Sequence, residues 1–117
     1  MINSKQKGKR GELYVVNKLK ERGYRVHRTN QFKGNTGEAA DIEGLDYIHA
    51  EVKFVENLNI YNAMDQAKRD NQGRKLIAVF HKKNNKELLV TMNFDNWADL
   101  YDSYYSDMKL KELENGL

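Results

Sequence analysis

Hydrophobic and polar residues follow one another along the chain with the periods of helices and strands. Apolar residues at helical spacing in RGELYVVNKLKERGY, residues 10–24, predict a helix that ends at Gly23. Its apolar stripe consists of Leu13, Val16 and Leu19. The segment NIYNAMDQAKRDNQG predicts a second helix, with Asn57 or Asn59 as its N-cap and Gly73 at its end.

A last helix is predicted over residues 95–114, with Asp95 as its N-cap. Its apolar positions are Trp97, Leu100, Tyr101, Tyr104 and Met108. Such a stripe usually packs against a core, and it can equally serve as a dimer surface.

Alternation of apolar and polar residues predicts five strands. YRVHRT is the first, DIEGL and YIHAEVKF form a hairpin that turns near Leu45-Asp46, and KLIAVFHKK joins ELLVTMNF through Asn84-Asn85. A crossover helix separates the third strand from the fourth, so these two strands can run parallel. This order predicts a single α/β domain over residues 1–117, with a mixed sheet flanked by helices.

Composition narrows the class of protein. The chain has 117 residues and no cysteine, which excludes disulfides, thiolate metal sites and thiol nucleophiles and fits a reducing cytoplasm. The N-terminus is polar and basic, unlike a secretory signal, and no apolar run approaches the roughly 20 residues that span a bilayer. We therefore expect a cytoplasmic protein, in the host cell if a phage encodes it.

Positive charge is concentrated at the start of the chain. The formal net charge is +3, yet the first ten residues contain four bases and no acid, whereas the segment from Asp95 onward contains more acids than bases. This asymmetry predicts one face directed toward a polyanion, with residues 1–9 as an unfolded basic tail on the phosphate backbone. The alternative is an ordinary, slightly basic, solvated surface.

The segment ADIEGLDYIHAEVKF groups charged residues on the predicted hairpin. Glu51 and Lys53 project from one face of a strand about 6–7 Å apart, and Asp41 comes close to Glu51 if the hairpin pairs as predicted. Neighbouring carboxylates repel each other unless a proton or a cation intervenes, and a hard divalent cation suits such oxygens. Glu12 extends the apolar stripe of the first helix with a charge, so it needs a partner, which a metal site would provide.

The charged residues just described, followed by Gln66 of the second predicted helix, form the pattern Glu12, Asp41, Glu51, Lys53 and Gln66 along the chain. With this order and these predicted elements, the chain resembles the PD-(D/E)XK nuclease superfamily. Within this superfamily it resembles archaeal-type Holliday junction resolvases and the small bacteriophage endonucleases related to them. Of these two groups, the bacteriophage endonucleases are the more similar. The similarity covers roughly residues 5–97, through KGKRGE, ADIEGL, IHAEVK, NIYNAMDQAKRD, VFHKKNN and LLVTM. Ala40 stands where the superfamily name has proline, a residue that is not a ligand.

The resemblance implies a restriction-endonuclease-like core of order αβββαβ, followed by a C-terminal strand and helix. It also implies a homodimeric endonuclease that depends on Mg²⁺ or Mn²⁺ and cuts branched DNA, above all the four-way junction. The implied metal ligands are Asp41, Glu51 and the Val52 carbonyl, with Glu12 binding directly or through water.

The remaining roles also come from the resemblance. Lys53 would orient or activate the attacking water, and Gln66 would position Lys53 or that water. The resemblance also implies that Arg10 and Arg28 contact phosphate near the cut. Independently of it, we expect phosphate contacts from Lys7 and Lys9 of the basic tail and from Lys33 in the glycine-bearing loop NQFKGNT, which can equally be an ordinary mobile loop.

Other interpretations stay open. The chain can be a restriction-type, flap or DNA-end nuclease of the same superfamily, or a nucleic-acid-binding module whose acids are structural. Glu51 and Lys53 can form an ordinary charge pair on an exposed strand, and Glu38 is the substitute ligand if Asp41 or Glu12 is misassigned. A dimer would form through the last helix or through the strand ELLVTM, unless these two elements cover each other within one subunit.

Overall fold

A five-stranded mixed sheet with one helix on each face forms the body of the protein in the computed structural model. The structure describes residues 4–29 and 40–116, so residues 1–3, 30–39 and 117, with Lys33 and Glu38 among them, lie outside the described residues. The elements are α1 (Ser4–Glu21), β1 (His27–Arg28), β2 (Ile42–Glu43), β3 (Ile48–Lys53), α2 (Ile60–Asn71), β4 (Leu76–His81), β5 (Leu89–Thr91) and α3 (Phe94–Glu114). Within these ranges the predicted α/β class and order of elements are confirmed.

The strands lie in the sheet in chain order, β1-β2-β3-β4-β5. The hairpin β2–β3 is antiparallel, with Ile42 opposite Ala50, so Asp41 comes opposite Glu51. β4 runs parallel to β3, as predicted, because α2 crosses over between them, and β5 returns antiparallel to β4. The observed strands are shorter than the alternating segments; β2 ends where Gly44 takes a φ of 94° and its backbone passes close to the carbonyl of Arg25.

Alternation along β3 and β4 supplies two apolar layers. On one face Ala50 and Val52 join Val15 and Val16 of α1 in the larger core cluster. On the opposite face Ile77 and Val79 of β4 pack with α2 through Ala63, Met64 and Ala67. Because both faces of the central strands are covered, His49 and Glu51 between the apolar positions of β3 are buried too, at 3% and 5% exposure.

The start of α1 corrects the predicted tail. The helix begins at Ser4 instead of Arg10, so the prediction of an unfolded segment over residues 1–9 is wrong from Ser4 onward. The stretch SKQKGKR contains no proline, and lysine, glutamine and arginine are good helix formers. Leu13, a predicted core residue, is 40% exposed, because α1 turns the side of Val15 and Val16 toward the sheet.

The last helix differs most from its prediction. It is capped by Asn93, whose side chain accepts a hydrogen bond from the Asn96 N–H (2.8 Å), and not by Asp95. None of its residues is buried. The alternative in which this helix and the strand ELLVTM cover each other within one subunit is therefore wrong, and Leu89 and Val90 of that strand are themselves about half exposed. No helix in the described part of the chain is long and apolar enough to cross a membrane.

Candidate active site

Asp41 and Glu51 meet at the end of the β2–β3 hairpin. Their proximity follows from the register of the hairpin, and the two side chains hydrogen-bond each other. The Val52 N–H also donates to Asp41 Oδ2 (2.8 Å), which fixes the carboxyl group against β3. The predicted pairing of these two acids is thus present.

The carboxyl group of Asp41 has a strongly perturbed pKa. Burial is the largest cause, and the charge of Glu51, the hydrogen bond with Glu51 and the charge of Glu12 raise the pKa further. The hydrogen bond from the Val52 N–H acts in the opposite direction, and the resulting pKa is about 8, against an ordinary value of 3.8. At neutral pH the Asp41–Glu51 pair therefore holds a proton between its oxygens.

Glu51 is held from its other side by His49. The two side chains project from the same face of β3, and His49 Nε2 lies 2.8 Å from Glu51 Oε1. Both residues are buried, so this contact is shielded from water. The alternation in IHAEVK placed His49 on this face, but the sequence did not indicate the contact.

Lys53 and Gln66 extend the same group toward solvent. Lys53 Nζ donates to Gln66 Oε1 across a long contact of 3.4 Å, between the end of β3 and the middle of α2. The predicted proximity of these two residues is present. Because Lys53 follows Glu51 by two residues, its ammonium group lies on the same face as the two acids.

Glu12 has a partner other than a metal ion. Arg28 Nε donates to Glu12 Oε1 (2.8 Å), and both side chains are largely shielded, at 30% and 19% exposure respectively. The charge on the apolar face of α1 is thus neutralised by β1. Arg28, expected at a phosphate, lies beside the site with its guanidinium group bound to Glu12.

A glycine brings α1 close enough for Glu12 to reach the site. A Cβ atom at Gly11 would lie 2.8 Å from Cγ of Phe54, the residue that follows Lys53. Only a residue without a side chain allows this approach. Glu12 is next in the chain, so its position depends on the contact between Gly11 and Phe54.

These residues border an open cleft of about 440 Å³. Its lining residues, from α1 and from the ends of β2 and β3, are Lys7, Gly8, Glu12, Asp41, Val52, Lys53, Phe54 and Val55. Glu51 is not among them, because it lies beneath Asp41 against His49. Lys7 therefore reaches the cleft, whereas Lys9 and Arg10 are exposed farther along α1.

The three acids do not form a ready-made three-ligand cage. In the described ranges, no group of three or more histidine or acidic side chains is arranged to hold a metal ion. The reason is local, because Arg28 turns Glu12 aside and His49 holds one oxygen of Glu51. What remains is a two-carboxylate pair with the Val52 carbonyl and the cleft beside it.

Two lysines that the sequence did not single out lie beside the cleft. Lys18 and Lys82 are held above the ring of Tyr14, at 5.3 Å and 5.7 Å from its centroid, and Lys82 also lies 5.9 Å from the ring of Phe54. The spacing of Tyr14 and Lys18 at i, i+4 on a helix could have indicated the first contact. The second depends on the approach of α1 to the end of β4, which no local pattern reveals.

Comparisons of the chain with protein-family models, curated proteins and solved structures find no match. The chemistry assigned to this site therefore rests on its own geometry.

Proposed function

We propose that this chain is a metal-dependent DNA endonuclease of the PD-(D/E)XK type. The observation that carries the proposal is the contact between Asp41 and Glu51, with Lys53 on the same face, at a cleft that Lys7 borders. Two acids and an ammonium group next to a basic surface are the groups that hydrolysis of a phosphodiester needs.

The residues present fit Mg²⁺ or Mn²⁺. Asp41 keeps a proton to a pKa of about 8 because it is buried and a second carboxylate lies against it, and a divalent cation would take the place of that proton. Mg²⁺ commonly uses one or two carboxylates and retains several waters, so a third protein carboxylate is not required. Asp41, Glu51 and the Val52 carbonyl would hold the ion, and Glu12 would reach it through water while bound to Arg28.

Catalysis would combine a bound cation with residues that orient water and bind phosphate. A bound cation would supply activation of water and neutralisation of the charge that develops on the phosphate. Lys53 would add positive charge at the same phosphate and orient the attacking water. Gln66 would hold the Lys53 ammonium group through the contact seen between them. Lys7 at the border of the cleft, with Lys9 and Arg10 beyond it, would bind the neighbouring phosphates.

The fold supports this assignment. The observed elements follow the αβββαβ order of a restriction-endonuclease-like core, with β5 and α3 after it. The sheet is mixed, and α1 and α2 cover its two faces. Under the proposal, β2 and β3 carry the acids and α2 carries the supporting amide.

The proposed substrate is branched DNA, with the four-way junction foremost. Cutting a junction symmetrically takes two sites in fixed register, so the proposal includes a two-fold homodimer, each copy contributing one cleft. Flap, DNA-end and restriction-type nucleases use the same chemistry on other DNA shapes. The comparison of substrates below distinguishes these activities.

Cleavage of labelled junction, flap and duplex DNA in Mg²⁺, Mn²⁺, Ca²⁺ or excess chelator tests the proposal. We expect cutting in Mg²⁺ and Mn²⁺, binding with little cutting in Ca²⁺, and none in chelator. Asp41→Asn should lower the rate by orders of magnitude and leave DNA binding intact or tighter. Asp46→Asn, in the turn at the far end of β3, is the matched control and should cut normally.

Lys53 is tested in the same way. Lys53→Met should abolish most cleavage, whereas Lys75→Met, an exposed lysine beside the opposite end of the sheet, should not. Cutting in excess chelator would contradict the metal, and normal turnover by Asp41→Asn would contradict the site. Binding of all DNA shapes without any metal-dependent cleavage would favour the non-catalytic binding module.

A further inference from the structure

The helix α3 projects from the body of the protein. Its first turn is attached to the sheet, where the Ile77 N–H donates to Asn96 Oδ1 (2.9 Å). Its 21 residues correspond to about 31 Å of helix. The described chain measures 58 × 30 × 27 Å and has a radius of gyration of 16.0 Å, against roughly 13 Å for a compact domain of this length. The helix therefore extends largely free of the core.

One side of α3 carries an ordered row of aromatic rings. Apolar residues recur at alternating intervals of three and four, which is the spacing of a coiled-coil seam. The seam consists of Phe94, Trp97, Tyr101, Tyr104 and Met108, and Lys111 occupies its last position. The rings of Trp97 and Tyr101 are stacked, with centroids 5.3 Å apart and planes 16° apart. Phe94 lies 6.1 Å from Trp97, and Tyr104 lies 6.5 Å from Tyr101. We call this seam the aromatic ridge.

The aromatic ridge is too large to be left in water. Its four rings and that of neighbouring Tyr105 are between 47% and 74% exposed. At 150–250 Å² per ring, these five side chains alone leave roughly 500 Å² uncovered. Leu100, Met108, Leu110 and Leu113, 38% to 74% exposed, enlarge this area toward the approximately 800 Å² that each partner contributes to a standard interface. A helix in a protein also gains most of its stability from packing, which α3 lacks in the single chain.

The charge on α3 argues against nucleic acid as the covering partner. The helix has six acidic residues and two lysines, so it would repel phosphate. Three acids and no base, Asp95, Asp99 and Asp102, lie in its first half, which is therefore the acidic end. Both lysines, Lys109 and Lys111, lie in the second half, where they offset two of the other three acids. Within their own helix the lysines form two ion pairs, with Glu112 and Asp107, which are exposed and weak, and Lys109 also lies 5.6 Å from the centroid of the Tyr105 ring.

We propose that α3 is the self-association surface of this protein and that two copies pair through their aromatic ridges in antiparallel orientation. A two-fold axis across the middle of the ridge places Phe94 of each copy opposite Lys111 of the other. The lysines near one end of each helix then face the acidic end of the second copy, and the helix dipoles oppose each other favourably. A parallel pair would instead bring the acidic ends together.

Self-association through α3 needs neither DNA nor metal, so it can be tested apart from nuclease activity. Sedimentation of the full chain at micromolar concentration should give twice the 13.7 kDa of one chain. Tyr104→Glu, on the aromatic ridge, should reduce the mass to that of the monomer. Ser106→Glu adds the same charge about 200° around the helix and should leave the dimer intact.

Each outcome of this comparison decides the matter. A monomeric natural chain overturns the proposal, and so does a dimer that survives Tyr104→Glu. Loss of the dimer in both variants also overturns it, because the ridge would then have no special part. Far-UV circular dichroism accompanies each measurement, so that unfolding is not counted as dissociation.

Cysteine cross-linking tests the orientation without disrupting the helix by a charge. The natural chain has no cysteine, so introduced thiols report only on themselves. Phe94→Cys mixed with Lys111→Cys should yield a disulfide-linked dimer. Phe94→Cys alone should not, because the two thiols would lie about 25 Å apart along the helices. A linked dimer of Phe94→Cys alone would demonstrate parallel pairing and overturn the antiparallel arrangement.

Discussion

Asp41→Asn should make the metal-free protein more stable at neutral pH, and increasingly so as pH rises. The folded state holds the Asp41 proton to a pKa of about 8, whereas the unfolded chain releases it near 3.8. A group whose pKa is raised by folding contributes full stability below the unfolded pKa and loses it as pH rises through the folded pKa. Between roughly pH 4 and pH 8 the free energy of unfolding should therefore fall by up to about 1.4 kcal/mol per pH unit.

Asparagine is a neutral substitute with nearly the same shape. Its oxygen can accept the Val52 N–H, and its amide can donate to Glu51 as the protonated acid does. The two pKa values imply that the variant gains about 2 kcal/mol over the natural chain at pH 5 and about 4 kcal/mol at pH 7. These are upper figures, because the amide does not reproduce every contact of the acid.

Urea unfolding in excess chelator at pH 5, 6, 7 and 8 measures this difference. Asp46→Asn, in the exposed turn before β3, is the matched control and should show a small difference that does not change with pH. A gap between Asp41→Asn and the natural chain that stays constant from pH 5 to pH 8 would refute the reasoning. Lower stability of the variant at pH 7 would refute it as well.

Three further predictions follow from contacts around the cleft. Gly11→Ala should destabilise the protein by about 1–3 kcal/mol, because the new methyl group meets the ring of Phe54. Gly8→Ala, whose methyl group would have no neighbour within 4 Å, should stabilise the helix by up to about 1 kcal/mol, and urea unfolding of both variants measures these changes. Lys7→Gln and Lys9→Gln should each flatten the salt dependence of duplex binding by about 0.9 log unit, and an unchanged slope would exclude the phosphate contact. His49→Leu should raise the Mg²⁺ concentration for half-maximal cleavage about 10–100-fold, because Glu51 loses the group that orients it; an unaltered Mg²⁺ titration would contradict this role.

Local signals in the sequence placed the boundaries of α2 to within two residues, with Asn57 or Asn59 as the N-cap and Gly73 at the end. Asn59 caps the helix, its side chain accepting from the Asn62 N–H, and the chain leaves the helix through Gln72 and Gly73 at positive φ. The alternation in IHAEVK likewise predicted β3 and the shared face of Glu51 and Lys53. Such features depend on groups a few residues apart, whose geometry is set by the backbone itself.

Tertiary structure decided which partner each charged group received. The sequence predicted that Glu12 binds a metal ion and that Arg28 contacts a phosphate. In the structure α1 lies close to β1, and Arg28 donates to Glu12. His49 shares the face of Glu51 and Lys53 through the alternation of β3, and burial of both faces of the sheet makes it the partner of Glu51. A local pattern specifies the side from which a side chain projects, but not what the fold brings to that side.

The sequence by itself determined that the last segment is an amphipathic helix, because the spacing of its aromatic residues matches the helical repeat. It could not determine whether that face is covered. α1 and α2 cover the two faces of the central strands, and α3 is attached to the sheet through its first turn, so the face of α3 remains in solvent. Periodicity depends on neighbours along the chain, whereas burial depends on how much apolar surface the rest of the molecule has left to cover.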